Sequence, residues 1–337
     1  MPAVTAHYLF GQAVLKKMEG AKIETIAATC PGAFNIGTQG PDIMFFALGD
    51  KQMNKWGDEV HSGASALYQA TMSFTRAQAP SWEKDAFLAY MAGFLCHYAL
   101  DCSAHPYIFY RSGFSDEDGG LAKQGERRHR LLESIIDAVV VEKITGKDMY
   151  EMNIGKVIEL SGKERKAISA PLANCMRTAF GYDRDPADFA KGMKDMSFVY
   201  KVLRDKNGKK KKALEIVDLI IRDHGLLSAL VGAPYDEDID WINEERSTWT
   251  FPWDDSIEMN FSFHDLFNRA AEDAVIYISA YCKAVFKEMD PKIALSIIGG
   301  KNFSTGLEFP VKFKHCDEEF IKNISQNYIR GTGKIRR

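Results

Sequence analysis

The chain has 337 residues, of which 46% are hydrophobic and 12% aromatic, enough for a large core in one or two domains. A formal net charge of −3 excludes the strongly basic surface of a general nucleic-acid binder, so no stable binding of nucleic acid is expected. Six scattered cysteines without a CxxC pair exclude a disulfide framework.

The N-terminal residues, MPAVTAHYLFGQAVLKK, lack the basic start, apolar block and cleavage site of a signal peptide. No run in the sequence approaches the roughly 20 apolar residues of a membrane span. These two features predict a cytoplasmic protein.

Apolar residues recur mostly at helical spacing, and the first 150 residues show no sustained strict alternation of the kind that predicts strands. The sequence therefore predicts an all-α, multi-helix bundle in a single domain, residues 1–337. Within it we expect a metal-site half over about 1–145, a helical elaboration over about 150–325 and a flexible basic tail over 326–337. The pattern predicts helices over 5–18, 61–73, 82–105, 121–144, 164–180, 185–203, 212–231 and 262–288, and loops over 30–50, 111–120, 205–212 and 232–256.

The predicted helix 82–105 carries three polar residues in its apolar part, His97, Asp101 and His105, at four-residue steps. Four-residue steps drift by only ~40° around a helix, so the three side chains share one face. Unpaired polar groups in a core cost roughly 2–7 kcal/mol, so the stripe needs partners. Either a hydrogen-bonded His–Asp pair in a bundle or a bound metal explains it.

The next predicted helix repeats the spacing with His129, Glu133 and Asp137. Two such helices, together with the acidic turn at Asp42, favour a metal site over two accidental pairs. Asp137 continues the His129–Glu133 face and is interpreted either as a partner that orients an imidazole or as a structural carboxylate.

The order of these motifs resembles the zinc-dependent phospholipase C family, whose fold also underlies the zinc nucleases of the P1 type. The resemblance covers about residues 5–140 and implies an all-helical bundle with up to three zinc ions at one end. The similar pieces are His7 in the first helix, GPD ending at Asp42, His61, HYALD from His97 to Asp101, His105, and HRLLE from His129 to Glu133.

The resemblance implies a ligand set by position. His61, His97 and Asp101 correspond to ligands of one zinc, and Asp42 to an acidic residue that binds the same metal and takes the proton from the attacking water. A second zinc corresponds to His105, His129 and Glu133. Asp101 is expected to bridge to a third zinc that His7 also binds.

Three positions differ from the family pattern. The secreted phospholipases use an N-terminal Trp as a ligand of the third zinc, whereas this chain begins MPA, so two zinc ions are predicted and a third is left open. His105 comes directly before Pro106, although the family places its His after a Pro. Ile43 stands where a Tyr selects choline, so phosphatidylcholine specificity is not expected.

The resemblance implies hydrolysis of a phospholipid headgroup or a related phosphodiester by a metal-activated water. Two alternatives stay open: a nuclease or nucleotide phosphatase on the same fold, and a metal-binding interaction protein without turnover. Peripheral contact with a membrane is also open, since Trp249, Trp253 and the Lys209–Lys212 run fit either a lipid surface or ordinary core and loop positions. The His264–Asp265 pair is predicted to be an exposed helix start.

Overall fold

The longest helix of the computed structural model, Trp82–Ser112, forms the centre of the fold. The structure describes residues 4–114, 120–149, 151–204 and 235–330, together with Lys210 and Leu214. The helices within these ranges are α1 (Val4–Lys17), α2 (Lys22–Thr29), α3 (Pro31–Gly37), α4 (Lys51–Ser62), α5 (Ser65–Ala77), α6 (Trp82–Ser112), α7 (Gly120–Thr145), α8 (Ile154–Val157), α9 (Gly162–Phe180), α10 (Pro186–Leu203), α11 (Phe263–Val285), α12 (Pro291–Ile298) and α13 (Glu318–Arg330).

Every residue of α6 from position 86 to position 101 is buried, because helices pack on all sides of it. Helices α3 and α11 cover it most extensively, and α1, α2, α7 and α9 complete the shell. A helix that is apolar all round is typical of the centre of a bundle. The all-α fold predicted from the sequence is confirmed.

Two glycines let α3 and α6 touch through their main chains. A β-carbon on Gly93 would lie 2.3 Å from the carbonyl oxygen of Phe34, and one on Gly37 would lie 2.2 Å from that of Tyr90. Any side chain at either position would push the helices apart. The close approach brings the segment after α3 against the polar stripe of α6.

The prediction of a loop over residues 30–50 is wrong. This segment contains α3 and a 3₁₀ turn, Gly40–Met44, which carries Asp42. Pro31 occupies the first turn of α3, where its missing N–H costs nothing. Ala33, Phe34 and Ile36 are buried and hold this short helix in the core.

Two predicted helix boundaries are also wrong. The single helix over 61–73 is two helices, because α4 ends at Ser62 and α5 begins at Ser65 after a break at Gly63. Helix α6 does not end at residue 105 but continues through Pro106 to Ser112. Pro106 removes only one helical N–H, and the buried Tyr107 and Ile108 anchor the turns that follow.

The predicted loop over 232–256 contains most of a hairpin, β1 (Trp249–Phe251) and β2 (Asp254–Met259), paired antiparallel with Trp249 opposite Met259. Helix α11 matches its prediction, with Ser262 and Asp265 forming a capping box. Helix α13 includes residues 326–330, which the sequence assigned to a flexible tail. The predictions for 205–212 and 212–231 lie outside the described residues, apart from Lys210 and Leu214, and so do residues 115–119 and 232–234 of the predicted loops 111–120 and 232–256.

The six cysteines are free thiols. Across the described ranges, the helices are too short or too polar to cross a membrane.

Candidate metal centre

Five separate elements bring the predicted site residues together around one cavity of about 930 Å³. Helix α6 contributes three of them and α7 two, while α1, the 3₁₀ turn and α4 contribute one each. All except the buried His97 line the cavity wall. The eight residues are His7, Asp42, His61, His97, Asp101, His105, His129 and Glu133.

Asp101 lies between two imidazoles, one on each carboxylate oxygen. His7 Nε2 is 3.2 Å from Oδ1, and His97 Nε2 is 2.9 Å from Oδ2. The rings of His7 and His97 stack with their centroids 4.2 Å apart. These three residues place one nitrogen or oxygen atom each within 4.8 Å of one another, a geometry that could hold a metal ion.

Two further groups have the same property. Asp42, His61 and His97 form one, in which His61 Nε2 lies 3.2 Å from Asp42 Oδ1. His105, His129 and Glu133 form the other, with both Nε2 atoms facing Glu133 Oε1 at 3.3 Å and 3.1 Å. His97 is thus shared by two groups.

The resemblance implies that His61, His97 and Asp101 share one ion and that Asp101 and His7 share another. His61 Nε2 lies 4.0 Å from Asp101 Oδ2 and 3.2 Å from Asp42 Oδ1. Grouping by distance sets Asp101 with His7 and His97, and the assignment of ligands to individual ions stays a prediction.

Three imidazoles are oriented by main-chain carbonyls. The Nδ1 atoms of His61, His97 and His105 lie 2.7 Å, 3.2 Å and 3.0 Å from the carbonyl oxygens of Gly57, Thr38 and Phe303. A carbonyl only accepts, so Nδ1 carries the proton in each neutral ring and Nε2 presents a lone pair. Metal-ligating histidines are held in this way.

The donor set fits a cation better than a set of hydrogen bonds. His97 Nε2 lies 2.9 Å from a carboxylate oxygen, yet it has no hydrogen-bond partner within the described ranges. Two ligands that face a common point approach each other without a hydrogen bond between them. Imidazole nitrogens with carboxylate oxygens are the ligand types that zinc takes.

The acidic residues are held in their charged form. Burial opposes ionisation of Asp101, but His97, His105 and His7 outweigh it and hold the pKa well below its usual range. The pKa of Glu133 is lowered against burial by His129 and His105. The pKa of Asp42 is lowered in the same way, chiefly by its hydrogen bond with His61. The centre therefore presents three carboxylates to an incoming cation.

The two histidines beside Glu133 differ. Burial lowers the pKa of His129. For His105 burial acts in the same direction, but Asp101 and Glu133 outweigh it and raise the pKa to about 9. Without a bound cation, His105 therefore holds its proton at neutral pH.

Asp137 lies next to this centre without contacting an imidazole in the part of the chain described. Its Oδ1 accepts a hydrogen bond from the main-chain N–H of Ala6 at 2.5 Å, and its Oδ2 accepts one from Thr5 at 3.2 Å. Burial raises the pKa of Asp137 to about 7 against these hydrogen bonds. It thus holds the first turn of α1, which carries His7, and does not orient a ring directly.

Sequence reasoning missed the contribution of the C-terminal half. Phe303 is buried, its carbonyl faces His105, and its ring lies 5.2 Å from that of His61. No spacing signal connects residue 303 to His105, 198 residues earlier. Asn302 and Ser304 beside it line the cavity.

The remaining residues singled out from the sequence lie elsewhere. His264 is exposed at the start of α11, and Asp265 caps that helix, so this pair is the helix start that was predicted. Trp249 is buried in the core. Trp253 is half-buried and stacks on Phe313.

A sequence model described as zinc dependent phospholipase C matches residues 6–181, more than half of the chain. The match spans α1 to α9 and so includes all eight residues of the centre. No curated protein and no solved structure matches the chain.

Proposed function

Because the chain belongs to the zinc-dependent phospholipase C family, we propose that it is a zinc-dependent hydrolase that cleaves a phospholipid headgroup or a related phosphodiester. The observation that carries this proposal is the common orientation of His61, His97 and His105. Each donates Nδ1–H to a main-chain carbonyl and turns Nε2 toward the carboxylates of the centre, which is how metal-ligating histidines are held.

We assign one zinc ion to each of two of the three groups. Asp42, His61 and His97 hold one, and His105, His129 and Glu133 hold the other. A third ion would be held by His7 and Asp101, because the one lone pair of His97, whose Nδ1 donates to the Thr38 carbonyl, is already assigned to the first ion.

Bound zinc would supply a water molecule acidic enough to attack at neutral pH, and positive charge for the phosphoryl oxygens. Asp42 is the residue we assign to take the proton from that water. Its lowered pKa keeps it ionised, and it lies on the cavity wall. Within the described lining, Arg130 is the one lysine or arginine, and although it pairs with Glu126 we assign it to contact an anionic phosphate group.

The cavity wall supports a lipid substrate. Apolar side chains of the segment after the 3₁₀ turn and of α10 line it, namely Phe46, Leu48, Val199 and Leu203. Leu48 is 59% exposed and continues this wall to the protein surface. Such a wall suits the glycerol and acyl part of a phospholipid, reached by peripheral contact with a membrane.

A nucleotide is the second candidate substrate. Phe45 and Phe109 line the cavity with half-buried rings, and their centroids lie 5.5 Å and 4.5 Å from those of His61 and His129. Aromatic rings beside a phosphate site can stack on a base.

The test is hydrolysis by the zinc-loaded protein of short-chain phospholipids with different headgroups, bis(p-nitrophenyl) phosphate, mononucleotides and single-stranded DNA. We expect phospholipid cleavage, lost with Asp101→Ala and kept with His264→Ala, which changes an exposed histidine. Cleavage of nucleotides or DNA alone would select the second candidate. Zinc-loaded protein that is inactive on the whole panel would mean a metal-binding protein without turnover.

A further inference from the structure

The loop Asn302–Leu307 is closed on itself by hydrogen bonds. Gly306 N–H donates to the carbonyl of Asn302 at 2.8 Å, and Asn302 N–H donates to the carbonyl of Leu307, also at 2.8 Å. The Asn302 side chain also accepts a hydrogen bond from Ser304 N–H at 2.8 Å. A loop tied in this way presents its main-chain groups in one fixed conformation.

Through one residue, this loop contacts two groups of the metal centre, the one that contains His61 and the one that contains His105. Phe303 N–H donates to the carbonyl of His61 at 2.8 Å, and its own carbonyl accepts from His105 Nδ1 at 3.0 Å. The Phe303 ring is fully buried, 5.2 Å from the ring of His61 and 6.0 Å from that of His97. Phe303 therefore links a histidine of one group to a histidine of the other.

Gly306 seats the loop on α6. Its φ is +68°, and a β-carbon there would lie 2.5 Å from the carbonyl oxygen of Cys102. That carbonyl lacks its usual helical partner because Pro106, four residues later, has no N–H. Pro106, which follows His105 here although the family places its His after a Pro, thus lies where the loop approaches α6.

We infer that the loop Asn302–Leu307 positions His105 and thereby sets the zinc affinity of the group His105, His129 and Glu133. The loop lies outside residues 6–181, so the C-terminal half would complete a metal group whose ligands all belong to the family region. The inference rests on the proposed function, because it takes this group to bind zinc.

The experiment compares Gly306→Ala with Gly181→Ala in the full-length protein. Both glycines have a positive φ, +68° and +75°, but a β-carbon at Gly181 meets nothing within 4 Å. The control therefore reproduces the backbone strain without moving a loop against α6. Zinc stoichiometry and affinity are measured by competition with a chromophoric chelator, and cobalt absorption reports the geometry of the bound metal.

Loss of a group that orients a metal ligand costs roughly 10–100-fold in metal affinity. We expect a decrease of that size for one zinc equivalent in Gly306→Ala and none in Gly181→Ala. Asn302→Ala, which removes the Ser304 hydrogen bond without a clash, should give a smaller decrease in the same equivalent and serves if Gly306→Ala does not fold.

Two results separate the possible failures. If the wild-type protein binds zinc and neither loop variant changes the affinity of any equivalent, the loop has no positioning role and the proposed function is untouched. If the wild-type protein binds no zinc, both the loop inference and the proposed function are overturned.

Discussion

Gly40 lies directly against the imidazole of His97, so that a β-carbon on Gly40 would be 2.4 Å from the ring. This contact seats the 3₁₀ turn that carries Asp42 on the buried part of α6. It also explains why a glycine precedes the Pro-Asp of that turn, since the φ of Gly40 is +52°.

Gly40→Ala should therefore damage the metal centre more than the fold. Backbone strain costs about 1–3 kcal/mol at such a position, and the β-carbon must in addition displace His97. We expect zinc affinity to fall by at least about tenfold, as for other changes that misplace a ligand. Gly49→Ala is the matched control, with a φ of +85° and nothing within 4 Å of the added carbon. Equal zinc binding by the two variants would contradict this reading of the contact.

The sequence predicted the ligand-bearing helices because α6 and α7 carry their polar residues at four-residue steps on a helical pattern. Those steps alone place His97, Asp101 and His105 on one face. What escaped prediction depends on contacts between distant segments. The helical character of 31–37 depends on its packing against α6, and Phe303 reaches the centre through a loop without a helical or strand period.

Asp137 shows the same limit at a single residue. Its spacing from Glu133 correctly placed it on the inward face of α7, but its partners are main-chain amides of α1, which no side-chain pattern reveals. A residue type and a face can be read from periodicity, whereas the identity of a partner 131 residues away cannot.

Asp137→Ala should loosen α1 and weaken metal binding by the group that contains His7. The buried N–H groups of Thr5 and Ala6 would lose their acceptor, at a cost of about 1–3 kcal/mol in unfolding free energy. Asp137→Asn keeps one acceptor oxygen and should lose less of both. Unfolding by urea and zinc stoichiometry measure the two effects.

Ser197→Ala is the control for Asp137. Ser197 donates a buried hydrogen bond to the Gly155 carbonyl at 2.7 Å and so also joins two elements. It should lose stability without losing metal. A similar loss of zinc in Ser197→Ala and Asp137→Ala would mean that Asp137 acts only through general stability.

His129→Ala should remove one zinc equivalent and leave the group of Asp42, His61 and His97 loaded, since it contributes to one group alone. Mass spectrometry of the intact protein under native conditions measures the count. His264→Ala, an exposed histidine whose Nε2 contacts only the Asn268 side chain at 3.3 Å among the described residues, should keep the wild-type count. An unchanged count in His129→Ala would remove this residue from the ligand set.

Zinc binding by the group of His105, His129 and Glu133 should strengthen as the pH rises toward 9. Metal ligands must be deprotonated, and in the metal-free centre the pKa of His105 is about 9, so zinc displaces a proton from it at neutral pH. Each pH unit below 9 then weakens the apparent affinity by about tenfold. Chelator competition between pH 7 and 9, corrected for proton binding by the chelator, measures the slope.

The proton on His105 should have the opposite effect on the stability of metal-free protein, which should fall as the pH rises. Because folding raises the pKa of His105 from 6.5 to about 9, its contribution to stability is fully present below pH 6.5 and is lost as the pH rises through about 9. The melting temperature of metal-free protein should therefore fall over this range. The melting temperature of zinc-loaded protein should change less, because zinc would take the place of the proton on His105. A metal affinity that stays level between pH 7 and 9 would show that His105 is already neutral and that Asp101 and Glu133 do not hold a proton on it.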